Sequence, residues 1–74
     1  MWKPCKRHQF IVRLRKLKFD GPYSGGKHMF MVFEGHRLAI PSNKEFSVPQ
    51  LKFMIKEVER ITGRLVGPEE WDSL

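Results

Sequence analysis

A chain of 74 residues with a formal net charge of +6 forms one small domain, and its core is too thin to enclose a large cofactor pocket. The single cysteine, Cys5, cannot form an intramolecular disulfide, and no Cys/His group has zinc-site spacing, so we expect no metal and no cofactor. Stability must therefore come from packing, with or without the help of a partner.

We expect a cytoplasmic protein that does not enter a membrane. The basic residues Lys3, Lys6 and Arg7 are not followed by an apolar run of the kind that forms the core of a signal peptide. The longest uninterrupted apolar stretch, 29–33, is far too short to span a bilayer.

The positive charge is concentrated in the first third of the chain. Residues 1–28 contain eight basic side chains against one acidic one, a net charge of +7, whereas 29–74 contain six against seven, a net charge of −1. Such a segment suits a polyanion such as RNA, because each neutralised phosphate releases condensed counterions. Charge alone leaves open the alternative of a solvated basic helix face that binds nothing.

The first predicted element is an amphipathic helix over about 6–17. Its apolar residues with helical spacing are Phe10, Ile11, Leu14 and Leu17. Cys5 occupies the N-cap region and is a poor capping residue, so the helix start is defined only within a residue or two. The helix is expected to bury one face and to present a basic one.

Three short antiparallel strands follow in the prediction, at about 22–24, 28–33 and 37–41. Glycine, proline and serine on both sides of Tyr23 break the helical pattern and indicate extended backbone there. Glu34 and Gly35 can form the tight turn of a hairpin whose second strand is stopped by Pro41. Residues 29–33 are expected to contribute to the core rather than to a platform for stacking bases.

A second helix over about 48–62 has the clearest signal in the sequence. Ser47 and Gln50 have the spacing of a capping box, and Gly63 lies where a left-handed C-terminal cap belongs. The tail, 68–74, is expected to make one more helical turn. The whole chain is then one α+β domain with the order α-β-β-β-α, in which two helices cover one face of a small antiparallel sheet.

Among the three histidines, His28 has the surroundings of a catalytic group. It follows Ser24, Gly25, Gly26 and Lys27, so N–H donors, a cation and an imidazole converge within five residues. Glycines let a phosphate approach the main chain, Lys27 can pair with it, and an imidazole exchanges protons at neutral pH. RNA cleavage by its own 2′-hydroxyl needs a base, charge stabilisation and an acid. A glycine turn before a histidine is also a common structural feature, so the motif alone does not decide.

Four segments together resemble the HicA (YcfA-like) toxins of bacterial toxin–antitoxin systems. They are the run 18–28 (KFDGPYSGGKH), the hairpin ending at Ile40-Pro41, the helical segment 51–63, and Glu69-Glu70-Trp71. The likeness covers nearly the whole chain. It implies a double-stranded-RNA-binding-domain-like fold, mRNA cleavage by the toxin, and neutralisation by a HicB-type antitoxin in a hetero-oligomeric complex.

The family places its catalytic histidine at the start of the second strand, which corresponds to His28. Many members have serine where this chain has Lys27, and many have a second histidine shortly after the proline, where this chain has Ser42 and Asn43. The Lys27 variant is compatible with phosphate binding. The general acid that would act with His28 is left unassigned.

These observations predict an endoribonuclease in which His28 is the general acid or base. Lys27 and the amides of Gly25 and Gly26 are predicted to hold the scissile phosphate. The other residues predicted to bind RNA or phosphate are Ser24, Tyr23, Arg7, Arg13 and Lys16. For Tyr23, stacking on a base and packing at the sheet edge explain the residue equally well.

Two other functions remain open at this point. One is a module of the same fold that binds structured RNA without cutting it. The other is a protein-interaction domain whose partner is the antitoxin. Phe53 falls off the apolar stripe of the second helix, and an exposed phenylalanine there suggests a protein contact.

Overall fold

The computed structural model describes residues 1–74 and contains three helices and five strands. The helices are α1 (Arg7–Lys16), α2 (Val48–Thr62) and α3 (Pro68–Ser73). The strands are β1 (Cys5–Lys6), β2 (Asp20–Gly25), β3 (His28–Phe33), β4 (His36–Ile40) and β5 (Glu45–Phe46). The three-stranded antiparallel sheet has the order β2-β3-β4, which confirms the small α+β fold. A separate two-stranded ladder, β1 with β5, was not predicted.

Helix α1 begins without a side-chain cap. Lys6 at the N-cap position has no group that accepts a hydrogen bond from the first turn. The Arg7 amide instead donates to the Lys44 carbonyl at 2.9 Å, and the adjoining ladder pairs Cys5 with Phe46. The start of this helix is therefore defined by a contact with a distant segment.

Helix α2 begins and ends at the residues that the sequence indicates. Ser47 Oγ accepts a hydrogen bond from the Gln50 amide at 3.4 Å, and Gly63 ends the helix with a left-handed φ of 74°. The reciprocal half of the capping box is not formed, because the Gln50 side chain donates to Asn43 Oδ1 at 3.2 Å. None of the three helices has the length and apolar character needed to cross a bilayer.

The core lies between the helices and one face of the three-stranded sheet. Met31 of β3 and Leu38 and Ile40 of β4 are buried on this face. They belong to a single cluster of 17 buried residues that also contains the apolar sides of α1 and α2. Trp71 of α3 is fully buried in the same cluster, so the predicted C-terminal turn is a short helix docked on the core.

The other face of the sheet is not covered by a helix, although α2 borders it at the β4 edge, and it carries residues that the sequence assigned to the core. Met31 is buried, but Phe30 and Val32 alternate with it and therefore point to the opposite side. The prediction of a continuous core strand is wrong for these two residues. We call this side the open face; its residues are Tyr23, Gly25, His28, Phe30, Val32, Arg37 and Ala39, with Asp20 at its far end.

Candidate active site

His28 is exposed at the start of β3, on the open face. It pairs with Gly25 of β2 across a two-residue turn made by Gly26 and Lys27. Gly26 has a φ of 79°, which a residue without a Cβ adopts at little cost. The glycine-rich segment is therefore a hairpin turn, and it places the exposed Lys27 directly beside the imidazole.

A shallow concavity of about 350 Å³ surrounds His28. Its lining residues are Gly25, Lys27, His28, Met29, Phe30, Arg37 and Ala39. Lys27 and Arg37 supply positive charge, and no carboxylate lines the concavity. The concavity is suited to binding an anion, because its electrostatic field is positive and the anion can enter it from solvent.

Arg37 is held in this concavity by an aromatic ring. Its guanidinium carbon lies 4.3 Å from the centroid of the Phe30 ring, a cation–π contact. On the β2 side, the ring centroids of Tyr23 and Phe30 are 5.7 Å apart, with planes inclined by 41°. Tyr23, Phe30 and Arg37 thus form a continuous surface beside His28.

Phe30 and Arg37 are absent from the residues that the sequence assigned to the site. The signal that could have found them is the strand alternation, which puts Phe30 on the same face as His28 once Met31 is assigned to the core. The hairpin turn at 34–35 then pairs Val32 with Arg37 and brings this arginine to the open face.

Ser24 and Arg7 lie near the site but not on the open face. Ser24 pairs with Met29, so its side chain points to the helix side of the sheet. Arg7 donates from Nε to the Pro41 carbonyl at 3.0 Å and from a terminal nitrogen to the Met29 sulfur at 3.5 Å. Arg7 therefore lies close to the end of the sheet that carries His28. Two of the N–H groups of its guanidinium already have partners within the protein.

Arg13 and Lys16 are separated from His28. The Arg13 guanidinium lies 5.5 Å from the centroid of Trp71 and 3.9 Å from a carboxylate oxygen of Asp72. Lys16 lies near Phe33, at the opposite end of β3, which is about 17 Å from His28 at the usual rise per strand residue. Of the residues predicted to bind RNA, the structure brings together Tyr23, Gly25, Gly26, Lys27 and His28.

The remaining reactive side chains lie elsewhere. His8 is exposed on α1, and His36 Nδ1 lies 3.2 Å from the Glu34 carbonyl oxygen at the far end of the hairpin. Burial raises the pKa of the Cys5 thiol, an effect that nearby Arg13 opposes, and Cys5 as a residue is 2% exposed. No group of three or more His, Cys, Asp or Glu side chains is placed to hold a metal ion.

The chain matches no protein-family model, no curated protein and no solved structure. Functional assignment therefore depends on the residues of the site and on their geometry. An exposed imidazole, two cations and a main-chain turn beside an open aromatic surface can bind a phosphodiester and move a proton to or from it.

Proposed function

We propose that this protein is a HicA-like endoribonuclease that cleaves mRNA without a metal ion, with His28 as general acid or base. The observation that carries the proposal is the exposed imidazole on the open face, which shares a concavity with Lys27 and Arg37 and with no carboxylate. The order of the longer elements, with both helices on one side of three antiparallel strands, supports a double-stranded-RNA-binding-domain-like fold. A cytoplasmic location is part of the same proposal.

The proposed reaction is an attack of the RNA on its own backbone. His28 accepts the 2′-hydroxyl proton as O2′ bonds to phosphorus, the bond from phosphorus to O5′ breaks, and O5′ takes a proton from water or a second group. The products are a 2′,3′-cyclic phosphate and a 5′-hydroxyl. Lys27 and the Gly26 amide face the phosphate and stabilise the charge that builds up on its oxygens. If His28 protonates O5′ instead, the products are the same.

Replacement of the imidazole tests this assignment. His28→Ala is expected to fold normally and to lose about a hundredfold to ten-thousandfold in cleavage rate, because general acid–base catalysis is removed. The measurement is cleavage of a labelled mRNA fragment in EDTA, with mass spectrometry of the new ends. His36→Ala removes an exposed histidine at the far end of the hairpin and should cleave like the parent protein.

Cleavage that persists in His28→Ala would refute the catalytic assignment. If the unmodified protein binds RNA in a salt-dependent way but never cuts it, the non-catalytic RNA-binding module becomes the better description.

We also propose that a HicB-type antitoxin docks between β4 and α2. Phe53 is 70% exposed on α2 and borders an apolar groove, and a contiguous apolar patch, unlike a single exposed residue, indicates a protein contact. The groove beside it has a volume of about 320 Å³. Its apolar lining includes Leu38, Pro41, Phe53 and Met54. Lys52 and Lys56 lie beside Phe53, and the groove itself is lined by one cation and one carboxylate, Arg37 and Glu57. The charge around Phe53 is therefore positive on balance, so an acidic partner surface would be complementary.

This partner proposal is tested with the HicB-type protein of an adjoining reading frame. Phe53→Asp should weaken the complex by about thirtyfold or more in calorimetric titration, because a central aromatic anchor is replaced by a carboxylate. Leu65→Asp alters an apolar residue outside the groove that is even more exposed, at 83%, and this variant should bind normally. Unchanged affinity of Phe53→Asp, or the lack of such a reading frame, would contradict the proposal.

A further inference from the structure

Three side chains of the open face form what we call the aromatic–arginine surface: Tyr23, Phe30 and Arg37. They span all three strands of the sheet, and the register aligns Tyr23 with Phe30 directly. The helices contribute to the core on the opposite side, so this surface is exposed to solvent beside His28. Its position makes it part of any path that leads a polymer past the imidazole.

We propose that the aromatic–arginine surface binds an unpaired nucleotide next to the scissile phosphate, with the base on Tyr23 and a phosphate at Arg37. The inference rests on the proposed ribonuclease function and deepens it, since it defines the substrate as single-stranded RNA.

The base site is indicated by the exposure and packing of the two rings. Tyr23 is 48% exposed although its ring centroid lies 5.7 Å from that of Phe30, so the tyrosine packs against its neighbour and keeps about half of its surface open to solvent. An aromatic ring that is fixed from one side is a suitable platform for a nucleobase, because every base has a π face. Such stacking contributes about fivefold to a hundredfold in affinity.

The phosphate site is indicated by the unpaired charge of Arg37. Its guanidinium is stacked at 4.3 Å from the Phe30 centroid, and it takes part in none of the ion pairs of the structure. A stacked guanidinium keeps its N–H groups free at the edge, where they can bind two phosphate oxygens at once. Lys27, which lines the same concavity, offers a second contact for the same backbone.

The preference for unpaired RNA follows from the position of the rings. The bases of an A-form duplex are stacked inside the helix, and the surface of the duplex presents phosphates and 2′-hydroxyls. Tyr23 lies within a sheet rather than at the tip of a loop, so a base reaches its face only after leaving the stack. Single-stranded RNA meets this requirement at no cost of unpairing.

The test measures binding separately from cleavage. A short, fluorescein-labelled single strand of RNA is titrated with the His28→Ala protein and followed by anisotropy at constant salt. Adding Tyr23→Ala to the His28→Ala protein is expected to weaken RNA binding about fivefold to a hundredfold. Adding Tyr23→Phe instead should leave the affinity of the His28→Ala protein unchanged. Arg37→Ala should lower the affinity similarly, and Arg37→Lys should restore it only in part, because lysine keeps the charge without the planar group.

Two controls exclude general effects of fold and charge. Lys3→Ala removes one positive charge from the segment that precedes β1, outside the three-stranded sheet, and should change affinity much less than Arg37→Ala. Circular dichroism checks that each variant is folded. The same sequence as a duplex should bind more weakly than the single strand and should be insensitive to Tyr23→Ala.

The inference is overturned if Tyr23→Ala and Arg37→Ala bind single-stranded RNA like the parent, or if the duplex binds equally well. It is also overturned if these variants lose a protein partner while RNA binding is unchanged. Failure of the ribonuclease proposal would look different: the unmodified protein would bind the single strand through this surface and leave it uncut.

Discussion

Gly25 makes room for the ring of Phe30. A Cβ added to Gly25 would lie 2.6 Å from the ring atoms Cδ1 and Cε1 of Phe30, which is closer than carbon atoms approach without a shift. The ring can therefore lie against the β2 backbone while Arg37 stacks on it. At the residue scale, the glycine that the sequence assigned to phosphate binding also has a packing function.

We expect Gly25→Ala to displace the Phe30 ring and, with it, Arg37. The overpacking should cost about 1–3 kcal/mol in the free energy of unfolding, measured by urea titration. Binding of single-stranded RNA should weaken at the same time. Gly67→Ala is the matched control, since a Cβ there meets no atom within 4 Å and the backbone is not left-handed. Equal results for the two variants would contradict this account of Gly25.

At the scale of elements, α3 is the helix that depends most on its surroundings. Its six residues are too few for a helix that is stable in isolation. Trp71 compensates by complete burial, with its ring centroid 5.2 Å from that of Phe10 and 5.5 Å from the Arg13 guanidinium. The C-terminal segment is therefore part of the core rather than an appendage.

Trp71→Ala should lower the free energy of unfolding by about 3–5 kcal/mol, because it leaves a large cavity in the core. Small domains are stable by only about 5–15 kcal/mol, so a measurable unfolded fraction is expected on mild heating. Far-ultraviolet circular dichroism in urea gives the value without depending on tryptophan emission. Trp2→Ala, at a half-buried residue on the edge of the core, should cost clearly less. A similar cost for both would argue against a central role of α3.

At the scale of the whole molecule, the fold redistributes the charge of the chain. Arg13 is directed to Trp71 and Asp72, and Lys16 lies at the far end of the sheet. The concavity at His28 gains Arg37 from the part of the chain whose net charge is −1. Net charge per segment is thus a poor guide to the local field, because the field depends on which side chains converge in space.

Elements with local signals could be predicted from the amino-acid chain alone. Helix α2 has Ser47 at its N-cap and Gly63 at its C-cap, as predicted. Glu34 and Gly35 form the predicted hairpin turn, with φ values of 47° and 83°. The position of His28 at the start of a strand followed from its neighbours. These features depend on residues a few positions apart, where backbone preferences and side-chain caps act directly.

Contacts between residues that are far apart in the chain depend on how the core packs. The β1–β5 ladder pairs Cys5 with Phe46, and the Lys44 carbonyl accepts a hydrogen bond from the first amide of α1. Nothing near Cys5 in the chain indicates either contact. The same holds for the placement of Arg37 beside His28, which required the register of β3 and β4 and the choice of the buried face. Such pairings follow from how the complete core closes, because a shift of one residue in register would turn every side chain of the strand to the other face.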